Sequence, residues 1–165
     1  MKTKILIAFA INLLLLTACK KGDTGPSGKD GKDGAANINS TTYNVSSWIS
    51  GSSAWYVNLS VPALTSSNLN SAGVQVFFST NSGTNWWALP YTEVASTNYF
   101  FNYTTSVGNV QPQWVYNGVG LGSSPNTFYS TTVQLKVVVI PPAMIKPGVD
   151  NTNYEEMKAA YNLKD

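Results

Sequence analysis

The chain has 165 residues, with 10 lysines, 8 acidic residues and neither arginine nor histidine, for a formal net charge of +2. Without Lys2 and Lys4 the remaining 8 lysines and 8 acids balance, which excludes the basic face that nucleic acid needs. The lack of histidine excludes His-dependent catalytic triads and His metal centres.

Lys2 and Lys4 precede an apolar stretch, Ile5 to Leu16, broken only by Asn12. At about twelve residues it is short of the roughly 20 that span a bilayer, and it has the form of an export signal. Leu16, Thr17, Ala18 and Cys19 close it. This tetrad resembles the lipobox of bacterial lipoproteins, in which the cysteine is acylated and becomes the first mature residue. The resemblance implies a signal peptide over 1–18 and attachment to a membrane through several acyl chains, which hold stably where one does not. The alternative is a plain secreted protein with an unpaired thiol. Cys19 is the only cysteine, so no intrachain disulfide can form.

Residues 19–36 read as a spacer. Gly22, Gly25, Gly28, Gly31 and Gly34 fall at every third position, giving four Gly-X-Y triplets with one proline, Pro26. Glycine at that period is what three packed polyproline-II chains require. Four triplets rich in Lys and Asp favour a hydrated tether, whose thirteen residues reach roughly 40 Å when extended. A trimeric triple-helical stub is the alternative; the tether reading predicts a monomer.

Residues 37–142 read as one all-β domain. Only Glu93 and Lys136 are charged between Asn37 and Ile140, and five Trp, nine Tyr and five Phe lie from Asn37 onward. Such a segment can bury a core as a single domain. Period-two alternation predicts strands at Thr41–Val45, Trp55–Val61, Val74–Phe78, Asn85–Thr92 with a bend at Pro90, Tyr99–Thr104 and Val110–Tyr116. Pro112 marks the last of these as an edge or a bulge. Tyr129–Ile140 is the longest predicted strand, and Val137, Val138, Val139 and Ile140, apolar on both faces, make it central. Seven or so short strands separated by Ser/Asn/Gly turns predict a single antiparallel β-sandwich.

Ser79, Asn81, Gly83 and Trp86 resemble the Asp-box hairpin, Ser-x-Asp-x-Gly-x-x-Trp, with Asn81 where aspartate is usual. In sialidases and other secreted β-proteins that motif is structural and lies away from the active site. After Pro141 and Pro142, residues 143–165 form a linker and a terminal helix. Thr152 and Glu155 fit a capping box. Tyr154, Met157 and Tyr161 share one helical face, which suits docking on the sandwich or binding a partner.

Lipobox, Gly-X-Y tract, β domain, Trp87-Ala88-Leu89-Pro90, Lys136-Val137-Val138-Val139-Ile140-Pro141 and the helix from Tyr154 to Leu163 together resemble a group of small collagen-like-repeat lipoproteins of the Bacteroidetes type. That resemblance implies an outer-membrane, lipid-anchored protein of the cell envelope. It carries no activity and names no leaflet.

Nothing in the chain has the spacing of a catalytic site. Ser-x-x-Lys and GxxxxGKS patterns are absent. Glycosidases need two carboxylates, and the β domain offers Glu93 alone. No acidic cluster suits calcium. The expectation is a non-enzymatic envelope protein without cofactor or metal, acting as a structural or interaction module. The competing expectation is glycan binding by exposed aromatics, with Trp48, Trp86, Trp87, Tyr91, Tyr99 and Trp114 as the candidate stacking residues. Trp86 and Trp87 alternate across a strand, so one of the pair is expected to face outward.

Overall fold

Period-two patterning produces two antiparallel sheets in the computed structural model, which describes residues 37–93 and 98–164. Leu16, Thr17, Ala18, Cys19 and the Gly-X-Y tract lie outside the described residues. The strands are β1 (Asn39–Val45), β2 (Ile49–Ser50), β3 (Ala54–Tyr56), β4 (Leu59–Ser60), β5 (Gly73–Ser79), β6 (Trp87–Ala88), β7 (Tyr91–Thr92), β8 (Tyr99–Ser106), β9 (Asn109–Tyr116) and β10 (Val133–Ile140). Two helices follow the same numbering, α1 (Pro125–Tyr129) and α2 (Tyr154–Tyr161). One sheet has the order β1-β10-β5-β6; the other has β2-β3-β9-β8-β7, with β4 also on β9. The architecture is a β-sandwich-like all-β fold with short helices. The expectation of about seven strands gives way to ten segments among the described residues, four of them only two residues long.

The register explains the core. In the first sheet Tyr43, Leu135, Phe78 and Trp87 lie in one row across four strands. In the second, Trp55, Trp114, Phe101 and Tyr91 form the matching row. The rows meet in the middle: Phe78 and Phe101 lie 5.3 Å apart by ring centroid, and Phe101 stands edge-on to Trp114 at 5.5 Å. Valines 76, 110, 133, 137 and 139 fill the remainder.

β10 has apolar residues on both faces because both are covered. Val138 and Ile140 point away from the main core and join Phe77, Tyr154, Met157, Tyr161 and Leu163 in a second buried cluster beneath α2. Lys136 lies on that same face and is 1% exposed. Its Nζ donates to the Tyr154 hydroxyl at 2.5 Å and sits 4.6 Å from the centroids of both the Trp86 and Tyr154 rings. A buried ammonium needs such partners. The terminal helix is therefore docked, as its apolar face predicts.

Five local expectations are corrected. The strand expected over Trp55–Val61 is divided at Val57 and Asn58. β3 and β4 keep one continuous register on β9, which places Val57 opposite Pro112. Val57 N–H donates to the Pro112 carbonyl at 3.2 Å, and proline has no N–H to return. β9 is thus an interior strand with a local ladder break, rather than an edge. The strand expected over Asn85–Thr92 crosses between sheets at Leu89–Pro90, a cis peptide, leaving β6 in one and β7 in the other. Tyr129 belongs to α1, where Ser124 caps the N-terminus and Pro125 takes the first turn. The α2 cap is Asn153, one residue later than expected. Its Oδ1 accepts from Glu156 N–H at 3.2 Å, while Thr152 turns back onto Asp150.

The docking of α2 rests on Met157, which is fully buried. Met157→Ala is expected to lower unfolding stability in urea by about 2–5 kcal/mol, and to expose the C-terminal segment to protease. A loss under about 1 kcal/mol would show that the helix is not packed in solution.

Candidate functional site

The six candidate aromatics separate by depth. Trp114 is fully buried and Tyr99 is 8% exposed; the two stack at 5.0 Å inside the main core. Neither is available to a surface ligand, which corrects the expectation for both. Trp114 Nε1 donates to the Ser123 carbonyl, and the Tyr99 hydroxyl accepts from Ser123 N–H, so their polar ends hold the loop before α1. Trp48 is half-buried against Phe101, and its Nε1 donates to Asn126 Oδ1 at 3.1 Å. Asn126 in turn donates to the Val45 carbonyl and accepts from Val133 N–H. Trp48 thus belongs to the joint where α1 ties β1 to β10.

Trp86 and Trp87 do face opposite ways, but neither projects freely. Trp86 joins the cluster under α2, and Trp87 packs on the main core. The hairpin before them follows the Asp-box expectation in its bonding. Ser79 Oγ accepts from the backbone N–H of Asn81 and Gly83, and donates to Asn81 Oδ1 at 2.9 Å. Asn81 Oδ1 also accepts from Asn85 N–H at 3.0 Å. Gly83 takes φ +82°, and a Cβ there would lie 3.3 Å from both the Trp86 ring and Gln134 Oε1, so glycine is required.

This hairpin and the start of α2 bound an open groove of about 610 Å³. Trp86 and Trp87 supply its rings, and Thr84, Asn85, Asn153 and Glu155 supply polar groups.

A second, smaller concavity lies at the far end of the two aromatic rows, where β6 passes into β7. Phe78, Thr80, Trp87, Tyr91, Glu93 and Tyr129 enclose about 150 Å³. Tyr91 and Glu93 share a face because they are two apart on an extended chain, and Glu93 N–H donates to the Tyr99 carbonyl to hold that conformation. Phe78 forms the floor, 5.3 Å from Trp87, 5.0 Å from Tyr91 and 6.1 Å from Tyr129 by centroid. Glu93 is 7% exposed. The Tyr129 hydroxyl donates a short hydrogen bond to Glu93 Oε2. Burial first, and then the bond to the Glu93 carboxylate and its charge, push the Tyr129 hydroxyl well above the usual tyrosine range. Sequence reasoning singled out Trp87 and Tyr91 here and missed Phe78, Glu93 and Tyr129. The available signal was a lone carboxylate in a hundred-residue stretch almost free of charge.

Among the described residues, no group of three or more His, Cys, Asp or Glu side chains gathers as a metal site, and no helix is long and apolar enough to cross a membrane. No family model, curated protein or solved structure matches the chain.

The Asp-box turn positions Trp86 at the groove. Asn81→Ala removes the acceptor for Asn85 N–H and the partner of Ser79, and is expected to cost about 1–2 kcal/mol in urea unfolding. Asn81→Asp keeps the acceptor and strengthens it with charge, so its stability should equal or exceed that of wild type. Equal losses in both variants would show that the side-chain bonds do not hold the turn.

Proposed function

We propose that the chain is an acylated lipoprotein of the cell envelope, anchored at Cys19 in the outer membrane, whose β domain serves as a non-enzymatic structural or interaction module. One observation carries this reading: a positive start at Lys2 and Lys4, a short apolar run and the tetrad Leu16-Thr17-Ala18-Cys19 stand together, and the tetrad holds the chain's only cysteine. The Gly-X-Y tract acts as a tether between anchor and domain. Support also comes from the fate of the aromatics. They fill the core of a domain that has few Leu and Ile, so their abundance answers to packing. A monomer fits the tether; a trimer would go with assembly of the Gly-X-Y tract.

The groove beside Trp86 favours a second reading, glycan binding. It sets an indole face next to amide, hydroxyl and carboxylate groups, the combination that suits a sugar's apolar face and its hydroxyls. Saturable binding of the full chain on a glycan array, weakened by Asn85→Ala, would support it. Silence across the array would remove it.

The primary reading is tested by metabolic labelling with palmitate and membrane fractionation, comparing wild type with Cys19→Ala. Label in the membrane fraction of wild type and its loss in the variant are the expected result. An unlabelled wild type would overturn the anchor.

A further inference from the structure

We infer that the concavity at the β6–β7 corner is a binding site for a methylated ammonium head group, with Trp87, Tyr91, Phe78 and Tyr129 as its aromatic walls and Glu93 as its counter-charge. The site shares Trp87 with the groove but is otherwise built from other residues, and it does not depend on the anchor.

The first argument is the arrangement of rings. Aromatic faces attract a cation through the ring quadrupole, and several faces around one small space are the usual means of recognising quaternary ammonium groups. Four rings border this space, two of them tyrosines and one the indole of Trp87. Trp87, Tyr91 and Tyr129 are half-buried, so each presents part of its surface at the opening.

The second argument is the carboxylate. Glu93 is the only acidic residue between positions 37 and 149, yet it is 7% exposed. Burying a carboxylate is costly even with good hydrogen bonds. Glu93 lines the same space as the four rings, so a cation entering it would meet a carboxylate as well as aromatic faces.

The third argument is size. About 150 Å³ is the liquid volume of roughly five waters. That admits a trimethylammonium head. The lining matches a cation without N–H donors, for which rings and one carboxylate suffice.

The test uses the full chain in non-ionic detergent micelles and follows tryptophan fluorescence. Choline chloride is titrated against its uncharged carbon isostere, 3,3-dimethyl-1-butanol, with sodium chloride matching ionic strength. Saturable quenching by choline is expected, with the isostere at least about tenfold weaker. Glu93→Gln should weaken choline by a similar factor and leave the isostere unchanged. Mixed micelles containing phosphatidylcholine or phosphatidylglycerol then identify the source. Competition with free choline by the first lipid alone points to a lipid head group, and by neither to a soluble cation. Equal affinity for choline and its isostere, or no saturable quenching by choline, would overturn the inference. Because the wild-type ratio decides this, the test survives even if Glu93→Gln fails to fold.

Discussion

The double-sided burial of β10 is the constraint on which the rest of the structure depends. A strand reading Val137-Val138-Val139-Ile140 cannot leave either face in water. One face is met by the second sheet through Phe101 and Trp114. The other requires a separate cover, and the C-terminal helix supplies it with Tyr154, Met157 and Tyr161. The helix is therefore part of the fold's solution and not an appendage. Lys136 shows how closely that cover is fitted. Its charge lies in the middle of the covered face, so the helix must bring a hydroxyl and a ring to it, which Tyr154 does in one side chain.

The same constraint decides what the aromatics do. With few Leu and Ile to fill two layers, the space between the sheets is taken by rings in register. Their polar ends then need partners, and these are backbone carbonyls elsewhere in the fold. Tyr103 donates to the Val74 carbonyl, Tyr43 to the Ser60 carbonyl and Trp55 to the Gly122 carbonyl. Aromatic richness thus produces a stitched core, in which these Tyr and Trp rings pack at one end and bond the backbone at the other. A stacking platform would need the opposite arrangement, with ring faces in water.

What was legible in the sequence followed from period and hydropathy. β10's central place, the positions of β5 and β8 to within one or two residues, the Asp-box turn and the apolar face of α2 all come from side-chain spacing, and the structure keeps them. What was illegible depended on pairing partners. The break at Val57 is caused by Pro112, 55 residues away in sequence but opposite in register. The division of Asn85–Thr92 between two sheets depends on the corner at Leu89–Pro90, where buried Gln75 donates to the Leu89 carbonyl at 2.8 Å. Tyr129 continued an apolar alternation into β10, which hid the Ser124–Pro125 helix start. The site residues divided in the same way. Trp87 and Tyr91 stood out as aromatics, but only the fold brings Phe78 and Tyr129 beside Glu93.

The two charges within the sheets, Lys136 and Glu93, meet the same surroundings with different results. Each is buried and each is hydrogen-bonded to a tyrosine hydroxyl; Lys136 lies over the Trp86 ring, and Glu93 lines one concavity with Trp87. Around Lys136 the rings of Trp86 and Tyr154 close at 4.6 Å, and the charge locks a helix in place. Around Glu93 the rings stand back and leave room. The difference follows from position. Lys136 lies mid-strand beneath a helix, where any gap would be a cavity in a core. Glu93 lies just beyond β7, beside Trp87 and Tyr91, where the two aromatic rows run out. A cation bound there would play toward Glu93 the part that Lys136 plays within the fold, a positive charge held between rings. The chemistry that the domain uses to fasten its own helix is, at its other end, available to a ligand.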